Sequence, residues 1–145
     1  MATKNRKATI VIEHIIQASD VAHTMQHWHV YRKWNEKLFW ECYKAYKQGR
    51  SDKNPIEYWY QGEIGFFDFY IIPLAKKLKE CGVFGVSSDE YLNYALRNRE
   101  EWSQQGHQVV EELIAKVKLL EEKESGKAKS GNDEETTLPV VARTA

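Results

Sequence analysis

The sequence predicts an all-α fold, a helical bundle, from three observations. Apolar residues recur at three- and four-residue steps through most of the chain, clusters of turn residues separate these runs, and one helix-start signal is complete. A length of 145 residues suits one domain with a real core and is short for two.

The opening MATKNRK is polar and expected to be disordered over 1–7. From Ala8, ATIVIEHIIQASD is apolar at Ile12, Ile15 and Ile16; its pattern suits a helix or a buried strand, and the helical run after it favours helix. In HTMQHWHVYRKWNEKLFWECYKAYKQG, Trp28, Tyr31, Trp34, Leu38, Phe39, Cys42 and Tyr46 form one apolar stripe with charged residues between, which predicts a long amphipathic helix. RSDKNPIEYW carries Ser51, Asp52, Asn54 and Pro55 and is expected to be a surface loop.

Ile64, Phe67, Ile71, Leu74 and Leu78 then repeat at helical spacing, and Phe66 and Tyr70 widen the stripe, so this helix is expected in the middle of the bundle. Pro73 lacks an amide hydrogen and is expected to bend or loosen it. CGVFG closes the element. SSDE opens the next, with Ser87 and Glu90 as a capping box and Val86 and Tyr91 as a hydrophobic staple. Leu92, Ala95, Leu96 and Trp102 continue to Gly106, and Val109, Val110, Leu113, Ile114, Val117 and Leu120 form a further helical face. From about Glu121 the chain is charged and small, too poor in apolar surface to offset its ordering entropy, so 121–145 is expected to be a disordered tail. The predicted organisation is a helical segment over 8–120 between these two ends.

Twenty-one basic residues balance 21 acidic ones, which leaves no net field to attract nucleic acid or an anionic membrane. Cys42 and Cys81 lack CxxC spacing, the Lys-rich start has no secretory apolar region, and no apolar run is long enough to span a bilayer. A reduced, cytoplasmic protein is the expectation. No G-x-S-x-G or paired base supports covalent hydrolysis. His23 and His27 stand four apart, which would place two imidazoles on one helix face, but no third ligand is evident beside them.

Glu63 raises a sharper question, because GEIGFFDFYIIPL surrounds it with apolar side chains and a carboxylate there is costly unless paired. By position alone it is a first-turn acid favoured by the helix dipole, just as Asp20 is a helix N-cap and Phe66 a core ring.

Two stretches together give another reading. ASDVAHTMQHWHVYRKW resembles the A-D-(L/I/V)-S-(N/H)-P segment and subsequent Y-R-x-W helix of the class I 3',5'-cyclic nucleotide phosphodiesterases. GEIGFFDFYIIPL resembles their S-Q-(V/I)-G-F-I-D-x-x-x-x-P-L helix. The resemblance runs from about Ile10 to Trp102 and corresponds to the C-terminal part of that family's catalytic domain, an all-α, HD-like fold. It implies a two-metal hydrolase with two His and two Asp ligands, a metal-bridging hydroxide and a His that protonates the leaving oxygen. The cofactors implied are divalent ions, zinc and magnesium or manganese, which neutralise phosphate and supply hydroxide near neutral pH. It further implies that Asp20 is a metal ligand, that His23 lies near the base pocket, and that Tyr31, Asn35 and Leu38 line it. Phe66 stacks on the purine, and Glu63 stands where the family has the glutamine that reads the base edge.

The departures are specific. A glutamine amide both donates and accepts, whereas an ionised Glu63 only accepts, which leaves the choice between cAMP and cGMP open. The H-N-x-x-H and H-D segments that carry the remaining ligands and the general acid are not among the 145 residues, so no catalytic residue is assigned. Thr24 replaces the expected proline, and the loop before the G-F-x-D helix is short. The function implied is hydrolysis of the 3' ester of cAMP or cGMP when the domain is complete. The alternative is a non-catalytic helical module for purine binding or helix association. Expected partners are a cyclic nucleotide and either the missing N-terminal half or a second copy of the chain.

Overall fold

A computed structural model describes residues 2–82, 85 and 87–130, and every regular element among them is helical. Helix α1 spans Ala2–Asp20, α2 spans Trp28–Lys47 and α3 spans Trp59–Phe66. A π-helical turn, Phe67–Ile71, joins α3 to α4, Ile72–Cys81, and α5 spans Ser87–Ser130. Short 3-10 turns cover Ala22–Met25 and Pro55–Glu57. No described helix is long and apolar enough to cross a membrane.

The chain divides into two compact units, Met1–Val110 and Glu111–Ala145. In the first, α1 packs on α4, and the core holds Tyr31, Phe39, Phe67, Ile71, Leu78, Ala95 and Trp102. In the second, Leu113 and Val117 are the buried apolar residues of its described stretch.

The buried side of α2 is Tyr31, Asn35, Phe39 and Tyr43, which keeps Tyr31 and Phe39 of the expected stripe and turns it away from Trp34 and Leu38. Trp34 is 49% exposed and Leu38 37%, because the core selects Asn35 in their place. Asn35 is tolerated there because partners satisfy its amide: Trp59 Nε1 donates to its Oδ1 at 3.2 Å, and its Nδ2 donates to the Tyr31 hydroxyl at 3.3 Å. The same bond explains why the end of the expected surface loop is not on the surface, since Trp59 is buried and starts α3.

The bend expected at Pro73 takes the form of the π turn, in which the Ile72 amide donates to Phe67 O. Buried positions before and through it fall at Trp59, Glu63, Phe67, Ile71 and Ala75, each four residues on. At 3.6 residues per turn each such step drifts by about 40°, so a straight α-helix would carry the series out of the core. One wider turn resets it, and it does so where Pro73 has no amide hydrogen to give.

At its end α4 closes on Gly82 in the left-handed conformation, φ 61°, as CGVFG predicts. The capping box and staple at Val86 and Ser87 lie outside the described side chains. Gly106 does not end a helix as expected. It sits inside α5, where an added Cβ would lie 2.8 Å from the Tyr60 ring, so glycine is kept there for close approach.

Two expected disordered ends also differ. Residues 2–7 are helical, and residues 121–130 continue α5, because Lys, Glu and Ala propagate a helix already nucleated at lower cost than they start one. Residues 131–145 lie outside those described.

Candidate functional site

Glu63 lies in the second turn of α3, past the dipole-favoured first turn, and is 8% exposed. The hydroxyl of Tyr31, on α2, donates to its Oε2 at 2.5 Å. Burial pushes the Glu63 carboxyl above its ordinary value, while hydrogen bonds from Tyr31 and Asn35 pull it partly back. Burial, and then the charge and hydrogen bond of Glu63, hold the Tyr31 hydroxyl well above its usual range.

These bonds have one direction. An indole N–H only donates, so Trp59 commits Asn35 Oδ1 as acceptor and turns the Asn35 amide nitrogen toward Tyr31 O. The Tyr31 proton is therefore directed to Glu63.

Aromatic packing brings His23 to the same place. Its ring stacks on Tyr31 with centroids 6.2 Å apart and planes 2° apart, and burial holds its imidazole below the ordinary value. Asp20, the exposed last residue of α1, lines a hollow of about 220 Å³ with His23, Ser19, Ala22, Gln26 and Trp34. Asp20 does not cap the next turn, whose N-cap is Val21 without a side-chain bond. The turn that carries His23 is held from α5 instead: buried Asn98 donates through Nδ2 to Thr24 O at 2.9 Å and Gln26 O at 2.7 Å. Thr24, where proline was expected, donates from Oγ1 to Val21 O at 2.6 Å.

The remaining sequence-derived residues stand apart from that hydrogen-bonded group. Phe66 is half-buried and stacks on Tyr70, centroids 5.2 Å apart, whereas the ring packed on Tyr31 is the next one, Phe67, at 5.4 Å. Leu38 is on the same helix as Tyr31 and Asn35 but half-exposed. His23 and His27 do not share a helix face, because the 3-10 turn ends between them; His27 contacts the Tyr94 hydroxyl at 3.2 Å.

Sequence reasoning missed Trp59, Asn98 and the Asp68–Arg99 pair. Arg99 grips Asp68 through two parallel bonds, Nε to Oδ1 at 2.9 Å and Nη2 to Oδ2 at 3.1 Å. That hydrogen bonding holds the Asp68 carboxyl below its ordinary value and raises Arg99. A fork of this kind fixes geometry, yet partly exposed ion pairs add only about 0–1 kcal/mol to stability.

With this geometry in view, comparison with known families matches residues 1–84 to the 3'5'-cyclic nucleotide phosphodiesterases. The chain belongs to that family. No curated protein and no solved structure gives a significant match. The phosphodiesterase match takes in α1 to α4, including Asp20, Tyr31, Glu63 and Phe66, and stops short of α5, which the sequence resemblance had carried to Trp102.

The divalent ions of a phosphodiesterase need a ligand set that the described residues do not assemble. No group of three or more His, Cys, Asp or Glu among them is placed to hold a metal ion. A single carboxylate, Asp20, with His23 across a small hollow does not build a two-metal centre.

Proposed function

We propose that this chain supplies the purine-recognising part of a cyclic nucleotide phosphodiesterase catalytic domain. Glu63 meets the base edge, Phe66 the base face and Leu38 its aliphatic side. Tyr31 and Asn35 hold Glu63 from behind, and His23 and Asp20 stand toward the phosphate. The reading is carried by one observation, the buried Tyr31–Glu63 hydrogen bond, which joins the two family motifs across 32 residues. It is supported by the His23–Tyr31 stack, which leads from that bond toward Asp20.

On this reading, hydrolysis of the 3' ester of cAMP or cGMP requires the His- and Asp-bearing segments that bind zinc and magnesium or manganese. Those ions supply phosphate neutralisation and hydroxide, and this chain contributes orientation of the base. Ionised Glu63 accepts from the adenine N6 amine or the guanine N1 hydrogen; protonated, it also donates, as a glutamine would.

A hydrolysis assay of cAMP and cGMP with magnesium and zinc, with and without EDTA, tests the enzymatic part. Turnover by the chain alone that EDTA abolishes would make the chain itself the enzyme and overturn its need for those segments. Binding without turnover by the chain alone fits both readings; turnover that appears once the His- and Asp-bearing segments are supplied supports the first, and binding that never leads to turnover supports the second, a non-catalytic purine-binding module. Neither binding nor turnover refutes both.

A further inference from the structure

We propose that Arg99 is a positioning residue for the candidate purine pocket, its two-pronged grip on Asp68 holding the π turn in register and thereby fixing the Phe66 ring. The inference rests on the reading that Phe66 meets the base.

The π turn is the least self-sufficient part of the Trp59–Cys81 helical run. It replaces regular bonding with the wider Ile72-to-Phe67 bond, and Pro73, two residues past its end, has no hydrogen to give the Phe69 carbonyl. From inside, Phe67 and Ile71 pin it, both fully buried. From outside, the described partner is α5: Asp68 is the second residue of the turn, and Arg99 holds both of its oxygens.

The register of the turn sets the outward face. A residue-long slip from π to α turn would rotate α4 by about 100° relative to α3. Phe66 stands immediately before the turn and Tyr70 within it, stacked with planes 8° apart, so the slip would separate them. Both members of the ion pair are about one-third exposed, 32% for Arg99 and 36% for Asp68, where an ion pair contributes more to geometry than to folding.

The test uses the full chain with 4-fluorophenylalanine, and the variants Arg99→Met and Arg99→Lys. Arg99→Met is expected to speed exchange of the Ile72 amide by about tenfold while the amides of α2 keep their rates. The Phe66 fluorine resonance is expected to move, and Arg99→Lys, which keeps the charge without the fork, to fall between. Parent-like exchange with an unmoved Phe66 signal overturns the proposal. So does equal acceleration in every helix, which is mere loss of stability. Affinity for AMP then joins the clamp to the pocket: Arg99→Met should weaken it by about fivefold. An unchanged affinity with a displaced Phe66 also overturns the positioning role. If the parent does not bind AMP, the purine reading is refuted, and the clamp is judged by the two local signals.

Discussion

Glu63 is a buried acid that the fold tolerates because Tyr31 and Asn35 meet it. Its folded-state pKa lies above the unfolded value, so folding favours its protonated form. Its contribution is therefore fully present below the unfolded pKa and lost as pH rises through the folded one. Glu63→Gln removes that titration, and chemical denaturation is expected to show the variant gaining on the parent as pH rises above the ordinary carboxyl value. Tyr31→Phe leaves Glu63 and Asn35 each short of a partner and should cost about 1–3 kcal/mol, with the Glu63 carboxyl moving further up in a carbon-13 titration. The acid itself was legible, because so few neighbours in GEIGFFDFYIIPL are polar. Its bonding chain was not, since nothing around Trp59 signals that its indole meets Asn35, 24 residues earlier.

Helices are legible where spacing decides them and illegible where a neighbour does. The stripe on α2 is right at Tyr31 and Phe39 and wrong between them, because hydropathy prefers Trp34 and Leu38 to Asn35, whereas hydrogen bonding offsets the cost of burying the amide. The π turn is written in the four-residue steps from Trp59 to Ala75, a period too long for a straight helix. Gly106 looked like a helix end and serves as a contact; Gly106→Ala should destabilise by about 1–3 kcal/mol through the Tyr60 ring. Gly126 in the same helix meets nothing within 4 Å, so Gly126→Ala should stabilise by up to about 1 kcal/mol, and thermal melts of the pair separate packing from propensity. Asn98→Ala strips two carbonyls of their donor and should cost about 1–3 kcal/mol, with faster amide exchange confined to the Ala22–Gln26 turn.

At the scale of the molecule, the all-α class followed from periodicity, and the family followed from two motifs in order. On the proposed reading those motifs mark residues whose chemistry is exacting: an acid for the base edge, a ring three residues on for its face and a carboxylate at the end of α1. Asn98 and Arg99 carry no local signature, because their partners stand 72 to 74 residues away in one case and 31 in the other. The metal set is a different matter, for the described residues gather no three ligands and Asp20 alone does not make a centre.

The central claim is that Glu63, held by Tyr31, reads a purine edge, and calorimetric titration of cAMP and cGMP into the parent chain and Glu63→Gln tests it most directly. The account predicts that the parent binds a purine nucleotide and that the ratio of the two affinities changes by about tenfold in the variant, whose fold is as stable or more so. Identical affinities for both nucleotides in the two proteins, or no binding by either, would contradict it.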